Sequence, residues 1–426
     1  MSTPSIKVGQ GNWGIKAGNL LAYANTDKKF VARDFTVGRL LDTATRVNAS
    51  GNIQIVNANV PRIDYFGGQA SLLVEPSATN SMFYSQFINS WPTKTGLTIT
   101  DNNAISPDGT QNASYIQQTT GGAIVSLISP VVTVASAQPQ SVSFYAKAGQ
   151  VTSVTLQFGT PALWVGSTRV RFTIDLLTGG ISIISGTGTA SSVAVGNGWY
   201  KYSVVTAATV ASGTTSIQTV TNTVFSPNSG DGFYLWGVQW EQNTSTPTSY
   251  IPTTTGSVTR NADVISLTGV AGLIGQTEGT LYAEVDVRNT ISRVASILQL
   301  RQDGNNQITL GITTAFGGTN TIAARAQQAG SFVVGFFQPN NAAGIYKIAF
   351  AYKSTDCKLY INGTDSGVTI SLNNAFTAFS FNEIQLGMSN SANQFNDRIR
   401  AVSIYQTRLP NTTTDGSPSL QSITTL

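Results

Sequence analysis

The stretch YAEVDVR, Tyr282 to Arg288, sets two carboxylates, Glu284 and Asp286, two positions apart. Hydrolysis of a glycosidic bond needs such groups in a pair, one as acid and one as nucleophile or base. Period-two alternation turns Leu281, Ala283, Val285 and Val287 inward and leaves Tyr282, Glu284, Asp286 and Arg288 outside, as on a half-solvated strand. Cross-strand ion pairing accounts for charges in that position. Histidine is absent from the whole chain, which removes serine triads, Cys-His dyads and histidine-based zinc sites. No catalytic residue, cofactor or metal is expected.

Sugar binding asks for less: a flat aromatic ring to lie against a pyranose, and amides or carboxylates for its hydroxyls. The loops RQDGNNQ, Arg301 to Gln307, and GMSNSANQFNDR, Gly387 to Arg398, supply such groups, with Asp303, Asn305, Phe395 and Asp397 as candidates. Asp-Gly-Asn sequences are first of all turn formers. Neither loop carries enough acidic oxygens for calcium. Of the six tryptophans, Trp13 stands near the N-terminus and Trp91, Trp164, Trp199, Trp236 and Trp240 in the middle of the chain. Trp164, in GTPALWVGS beside Pro161, is the one expected at the surface, and it joins the sugar-binding candidates.

The composition says what carries these groups. Charged residues make up 10% of the chain, against roughly 25% in typical soluble domains, so neutral hydroxyls and amides must solvate the surface. The net charge of +4 is scattered, which leaves no footprint for nucleic acid or an anionic membrane. Cys357 has no partner for an internal disulfide and is expected to be an inert, half-buried thiol. The opening MSTPSIKVGQGNWG has neither a charged nor an apolar signal region, so export is not expected.

Alternation recurs along the chain: Val142, Phe144 and Ala146 against Ser141, Ser143 and Tyr145; Val154, Leu156 and Phe158 against Thr155 and Gln157; Tyr346, Ile348, Phe350 and Tyr352 against Lys347, Ala349 and Ala351. In GFYLWGVQWEQ it sets Tyr234, Trp236, Val238 and Trp240 on one face and Phe233, Leu235, Gln239 and Glu241 on the other. Tyr234, Trp236 and Trp240 are then expected to seal one face of a core. Short strands separated by Gly, Asn and Ser turns predict an all-β protein: an N-terminal extended arm followed by two antiparallel β-sandwich (jelly-roll) domains.

The expected boundaries are an arm over 1–70, sandwiches over 71–252 and 253–410, and a tail over 411–426. Gly67 and Gly68 mark the first boundary. Pro247 and Pro252, in TSTPTSYIPTTTGSVTR, mark the second. The tail lacks alternation of its own and must either drape on a neighbour or stay mobile.

Ordered motifs add a resemblance. LLVEPSATN (Leu72 to Asn80), Trp91, SPDGT (Ser106 to Thr110), GWY (Gly198 to Tyr200) and LWGVQWE with SYIPT resemble a carbohydrate-binding-module-like jelly roll of tailed-phage virion proteins. EGTLYAEVDV, CKLYINGTDSG, NEIQLGMS and RIRAVSIYQTRLP are similar to strands of a concanavalin A-like lectin or laminin-G-like sandwich. IKVGQGNWGIKAGNLLAYA and FTVGRLLDTATRVNASGNI resemble the N-terminal segment of fibre-like proteins in crAss-like phages. Glucanases of the concanavalin A-like class carry an E-x-D-x-x-E strand; Glu284 and Asp286 match its first two positions, but Arg288 or Asn289 replaces its second glutamate.

The resemblance implies a structural virion component, foremost a head fibre. Trp13, Leu20, Leu21 and Tyr23 of the arm would anchor it to capsid or other virion proteins, and its sandwiches would meet host or mucosal glycans. A homo-oligomer is expected, a trimer ahead of a dimer, on the particle surface after assembly in the host cytoplasm. The alternatives are a tail-associated fibre or receptor-binding protein, or a glycan depolymerase whose carboxylates converge from distant loops.

Overall fold

Val142, Phe144 and Ala146 lie in one apolar core, as their alternation predicts, on the strand Gln140–Ala148. Their neighbours Ser141, Ser143 and Tyr145 are buried as well, because a second layer covers the outer face of that sheet. The computed structural model describes residues 3–425 except 10–12, 17, 27–28, 221, 289–293, 315–319, 340, 367–373 and 391. It is an all-β fold of antiparallel sheets, and the chain divides into two units.

One unit comprises Thr43–Ile55 and Ala78–Arg260. It is a sandwich of two six-stranded sheets. The first runs in the order Leu97–Ile105, Gln111–Gln118, Gly232–Gln242, Gln140–Ala148, Trp199–Thr206, Gly188–Gly196. The strand GFYLWGVQWEQ is therefore central in its sheet and pairs on both sides.

A bulge corrects the expected faces of that strand. Tyr145 faces Trp236 while Ser143 faces Gln239, so the central strand holds one extra residue, and Gly237 takes it up at φ +63°. Below the bulge Phe233 and Leu235 enter the sandwich core; beyond it Val238 and Trp240 do. Trp236 joins the outer layer with Tyr145, Trp199 and Tyr250, and half-buried Tyr234 packs against that layer. Trp236 and Trp240 thus serve opposite faces.

Most of the jelly-roll motif residues hold this unit together. The buried Asn80 side chain donates to Val238 O and Ile251 O and accepts from the amides of Met82 and Trp240. Gln239 Oε1 accepts from Ile251 N at 2.7 Å, and Glu241 accepts from Thr248 N at 2.9 Å and Thr248 Oγ1 at 2.6 Å. These bonds clamp the SYIPT segment over the sheet, with Tyr250 Oη 2.6 Å from Ser85 Oγ. SPDGT is a turn closed on Asp108.

Burial raises the pKa of Glu241 above the ordinary carboxylate range, against the opposing pull of Thr248, Arg260 and Gln239. A carboxyl raised on folding binds more protons in the folded than in the unfolded chain, so its ionisation weakens the fold as pH rises above the usual carboxylate range. As pH rises above the usual carboxylate range, thermal stability should decline in the native chain and decline less in Glu241→Gln. Melting curves above that range check it, and parallel slopes for the two proteins would contradict it.

The other unit comprises Met1–Asp42, Val56–Ser77 and Asn261–Leu426. Its first sheet places Lys358–Ile361, Gly344–Lys353, Glu278–Val287 and Asp397–Tyr405 side by side. Ile6–Gly9 and Ser71–Val74 share the far edge of Asp397–Tyr405, one after the other. Its second sheet runs Val264–Thr268, Glu383–Leu386, Ala295–Asp303, Asn306–Thr313, Thr321–Gln328, Ser331–Gln338. The long strand Lys29–Gly38 pairs with Asn19–Thr26 in the first sheet and, at its end, with Val264–Thr268 in the second.

Residues 1–70 are therefore not a separate arm. Ile6, Val8, Leu20, Ala22, Phe35 and Val37 are core residues of the C-terminal sandwich, as are Leu72 and Val74 from the start of the expected middle domain. Thr43–Ile55 belongs with the middle sandwich, whose last strand ends at Arg260. The tail drapes: its short helix Leu420–Thr424, capped by Ser419, buries Leu420 against Tyr282, Ala349, Ala351 and Tyr405. Tyr282 is thereby covered on a face expected to meet water.

A unit assembled from three separated segments needs a seam. Arg39, Arg62, Glu75 and Asp263 form it, all buried. Arg39 Nη1 lies 2.9 Å from Asp263 Oδ1, Arg62 Nη1 lies 2.5 Å from Glu75 Oε2, and Arg62 Nη2 pairs with Asp263 Oδ2. Arg39 also donates to the carbonyls of Asn57 and Val60. Burial alone would lower the pKa of Arg62, but the charges of Asp263 and Glu75 outweigh it and hold the guanidinium ionised.

Candidate functional site

Directly opposite pairing carries a row of side chains across the outer face of the middle sandwich: Thr100, Tyr115, Tyr234, Lys147 and Trp199, each on its own strand. The bulge at Gly237 lies beyond Tyr234, so Tyr234 keeps the outward direction while Phe233 and Leu235 point into the core. Tyr115 and Tyr234 are half-buried, with ring centroids 4.9 Å apart and planes inclined by 43°. Trp199 continues the row at 6.4 Å from Tyr234.

The Tyr115 ring is fixed as a platform. A β-carbon on Gly232 would come within 2.8 Å of Tyr115 Cζ, and one on Gly149 within 3.2 Å of Cε2, so the ring lies close over two residues without side chains. Its hydroxyl lies 2.6 Å from Gln150 Oε1 and 3.2 Å from Gly230 O. Gln117 Nε2 donates to the same carbonyl at 2.9 Å. Partial burial, then Tyr234 and Asp231, raise the Tyr115 pKa, so the phenol stays neutral and its O–H remains a donor. Two tilted rings flanked by Lys147 and by the amides of Gln117 and Gln150 form an apolar step with a polar rim, the chemistry that a sugar ring requires.

The structure does not gather the residues singled out from the sequence. Trp164 is not at the surface: it is 2% exposed, its Nε1 donates to Gly159 O at 2.8 Å, and its ring packs on Phe158 at 5.6 Å. The 3-10 turn Pro161–Leu163 precedes it and the ring sits in the core. Phe395 is wholly buried in the core of the C-terminal sandwich, and Asp397 is buried with its Oδ1 accepting from Arg288 N. Asp303 closes the turn between Ala295–Asp303 and Asn306–Thr313 by accepting from Asn305 N at 2.8 Å and Asn306 Nδ2 at 3.0 Å, and Asn305 is exposed on that turn.

Of the expected anchors, Leu20 and Trp13 serve the protein's own core. Leu20 is buried, Leu21 is half-buried, and Trp13 packs on the same core with its Nε1 donating to Ala70 O. The backbone of Tyr23 pairs with Ala32, and its side chain lies outside the described residues. Glu284 pairs with Arg400 Nη1 at 3.1 Å and Asp286 with Arg288 Nη2 at 2.7 Å. SYIQQ alternates and sets Tyr115 and Gln117 on one face; a glycine interrupting an aromatic strand, as Gly237 does, is the signal that separates Tyr234 from Trp240.

No protein-family model matches the chain, and no curated protein matches it. Among solved structures, it is similar to domain 4 of AbnA, a GH43 extracellular arabinanase from Geobacillus stearothermophilus in complex with arabinotriose, at 16% identity over 43% of this chain and 83% of that one, TM-score 0.30. It is similar to the Ruminococcus gnavus IT-sialidase CBM40 bound to alpha2,3 sialyllactose, at 17% identity over 37% of this chain and 86% of that one, TM-score 0.28. It is also similar to domains LG4-5 of the mouse laminin alpha1 chain, at 10% identity over 75% of this chain and 91% of that one, TM-score 0.25. At such scores the fold assignment rests on the strand pairing itself.

Proposed function

We propose that this protein binds glycans without cleaving them, and that the Tyr115–Tyr234 platform is the contact surface. One observation carries the reading: two half-buried rings, one set over Gly149 and Gly232, stand side by side on the outer face next to Lys147, with Gln117 two residues along the Tyr115 strand. Single contacts of this size bind weakly, and repetition of the chain multiplies them. Affinity electrophoresis in gels cast with soluble polysaccharides tests it. Tyr115→Ala and Tyr234→Ala should each weaken retardation at least about tenfold, as truncated aromatic anchors do, with little change in melting temperature. Equal retardation of native and variant proteins would place binding elsewhere.

The setting we propose is the surface of a phage particle, supported by the ordered motifs of the jelly roll. A head fibre is the foremost form and a tail-associated receptor-binding protein the second. Leu20 belongs to the protein's own core, so it is not proposed as part of the particle contact. Labelled antibody against the C-terminal sandwich, imaged on intact virions, tests the setting; particles without label would oppose it. A depolymerase remains the rival activity, and reducing ends released from host capsule and lost in Glu284→Gln would favour it.

A further inference from the structure

The second sheet of the C-terminal sandwich has a polar outer face. Gln385, Gln299, Thr309, Arg325 and Gly335 stand opposite one another on five successive strands, with Gln307 and Gln327 in the adjoining row. The amides form a chain: Gln299 Nε2 donates to Gln307 Oε1 at 2.7 Å and to Thr309 Oγ1 at 3.1 Å, and Gln307 Nε2 donates to Gln327 Oε1 at 3.0 Å. Arg301, beside them, is paired with Glu383 at 2.8 Å.

Arg325 is different. It is half-buried, yet its guanidinium has neither a hydrogen bond nor an ion pair with any described residue. Its guanidinium carbon lies 5.6 Å from the centre of the Phe332 ring, which is 54% exposed. Gly335, directly opposite, carries no side chain to cover it. A planar fork with five donors has been taken partly out of water with no acceptor in return, and its burial lowers the Arg325 pKa. At the other end of the row Gln385 is buried, and its Oε1 has no donor among the described residues. Gln299 and Thr309, between these two positions, are buried, so the amides accessible beside Arg325 are those of Gln307 and Gln327.

We propose that this face binds an acidic saccharide chain, with a carboxylate or sulfate received by the Arg325 fork beside Phe332 and sugar hydroxyls by the amides of Gln307 and Gln327. The ligand class differs from that of the tyrosine platform, which carries no unpaired guanidinium, and the two sites stand or fall separately. Arg325 recognises geometry as well as charge, because a guanidinium fork meets two oxygens at once.

Calorimetric titration of the full chain with penta-galacturonate, with its fully methyl-esterified form and with a sulfated dextran oligomer tests the proposal. We expect saturable binding of at least one charged probe, weakening as salt is added, and binding of the methyl ester at least about tenfold weaker than that of galacturonate if the carboxylate is the recognised group. Preference for galacturonate identifies a carboxylate, and preference for the dextran identifies a sulfate. Arg325→Gln should cost roughly ten- to hundredfold in affinity, Arg325→Lys less, and Tyr234→Ala nothing. Melting temperatures within about 2 °C of the native chain confirm that the variants fold. No binding of either charged probe, or undiminished binding by folded Arg325→Gln, overturns the proposal and leaves the tyrosine reading untouched.

Discussion

Asp263→Asn is expected to destabilise the C-terminal sandwich by about 3–5 kcal/mol, the cost of leaving buried charges uncompensated. Asp263 receives Arg39 on one oxygen and Arg62 on the other, and it also accepts from Glu75 N at 2.9 Å. An asparagine keeps the shape but removes the charge and turns one acceptor into a donor facing a guanidinium. The network ties Arg39, Arg62 and Asp263 from three segments of one unit, so the loss falls on the seam that joins them. The surface pair Lys358–Asp365, with both side chains more than a third exposed, is the control: Asp365→Asn should cost about 1 kcal/mol or less. Urea unfolding followed by circular dichroism distinguishes the two. Equal midpoints for both variants would show that the buried network does not hold the unit.

Trp164→Ala is the second large effect. Removing a buried tryptophan from the middle core should cost about 3–5 kcal/mol, because packed neighbours relax only partly into the cavity. Phe158 loses its partner on the Trp164 side but keeps Phe172 at 5.5 Å and Trp240 at 5.1 Å, so the core is weakened without being dispersed. The protein that remains folded should still bind glycan, since Trp164 belongs to the core while Tyr115 and Tyr234 lie on the outward row. A Trp164 variant with native stability and lost binding would restore the surface role that its loop suggests.

That contrast shows what alternation can and cannot convey. Strands announce themselves where apolar and polar residues alternate cleanly, as in Leu281, Ala283, Val285 and Val287, all of which are buried in one core. Alternation is silent about partners. The edge that Ile6–Gly9 completes is Asp397–Tyr405, almost the whole chain away, and no local pattern encodes a pairing across that distance. Short N-terminal strands carrying several charges therefore look like an arm. Alternation also assumes an unbroken pleat: the extra residue at Gly237 shifts it, and Trp236 and Trp240 part to opposite faces. Outward faces can be covered too, as Tyr282 is by the C-terminal helix and Tyr145 by the SYIPT segment. The ordered motifs carry the fold well because Glu75, Asn80, Gln239 and Glu241 make its internal bonds. For the same reason they point away from the proposed site, whose residues Tyr115 and Tyr234 lie on the outward row.

The central claim is recognition of glycan by that tyrosine row. A glycan-array profile of the native protein beside the Tyr115→Ala/Tyr234→Ala double variant, both confirmed folded by their melting curves, tests it most directly. The account predicts reproducible binding of at least one glycan class by the native chain, absent from the double variant. An empty array for the native protein, or the same profile for both, would contradict it.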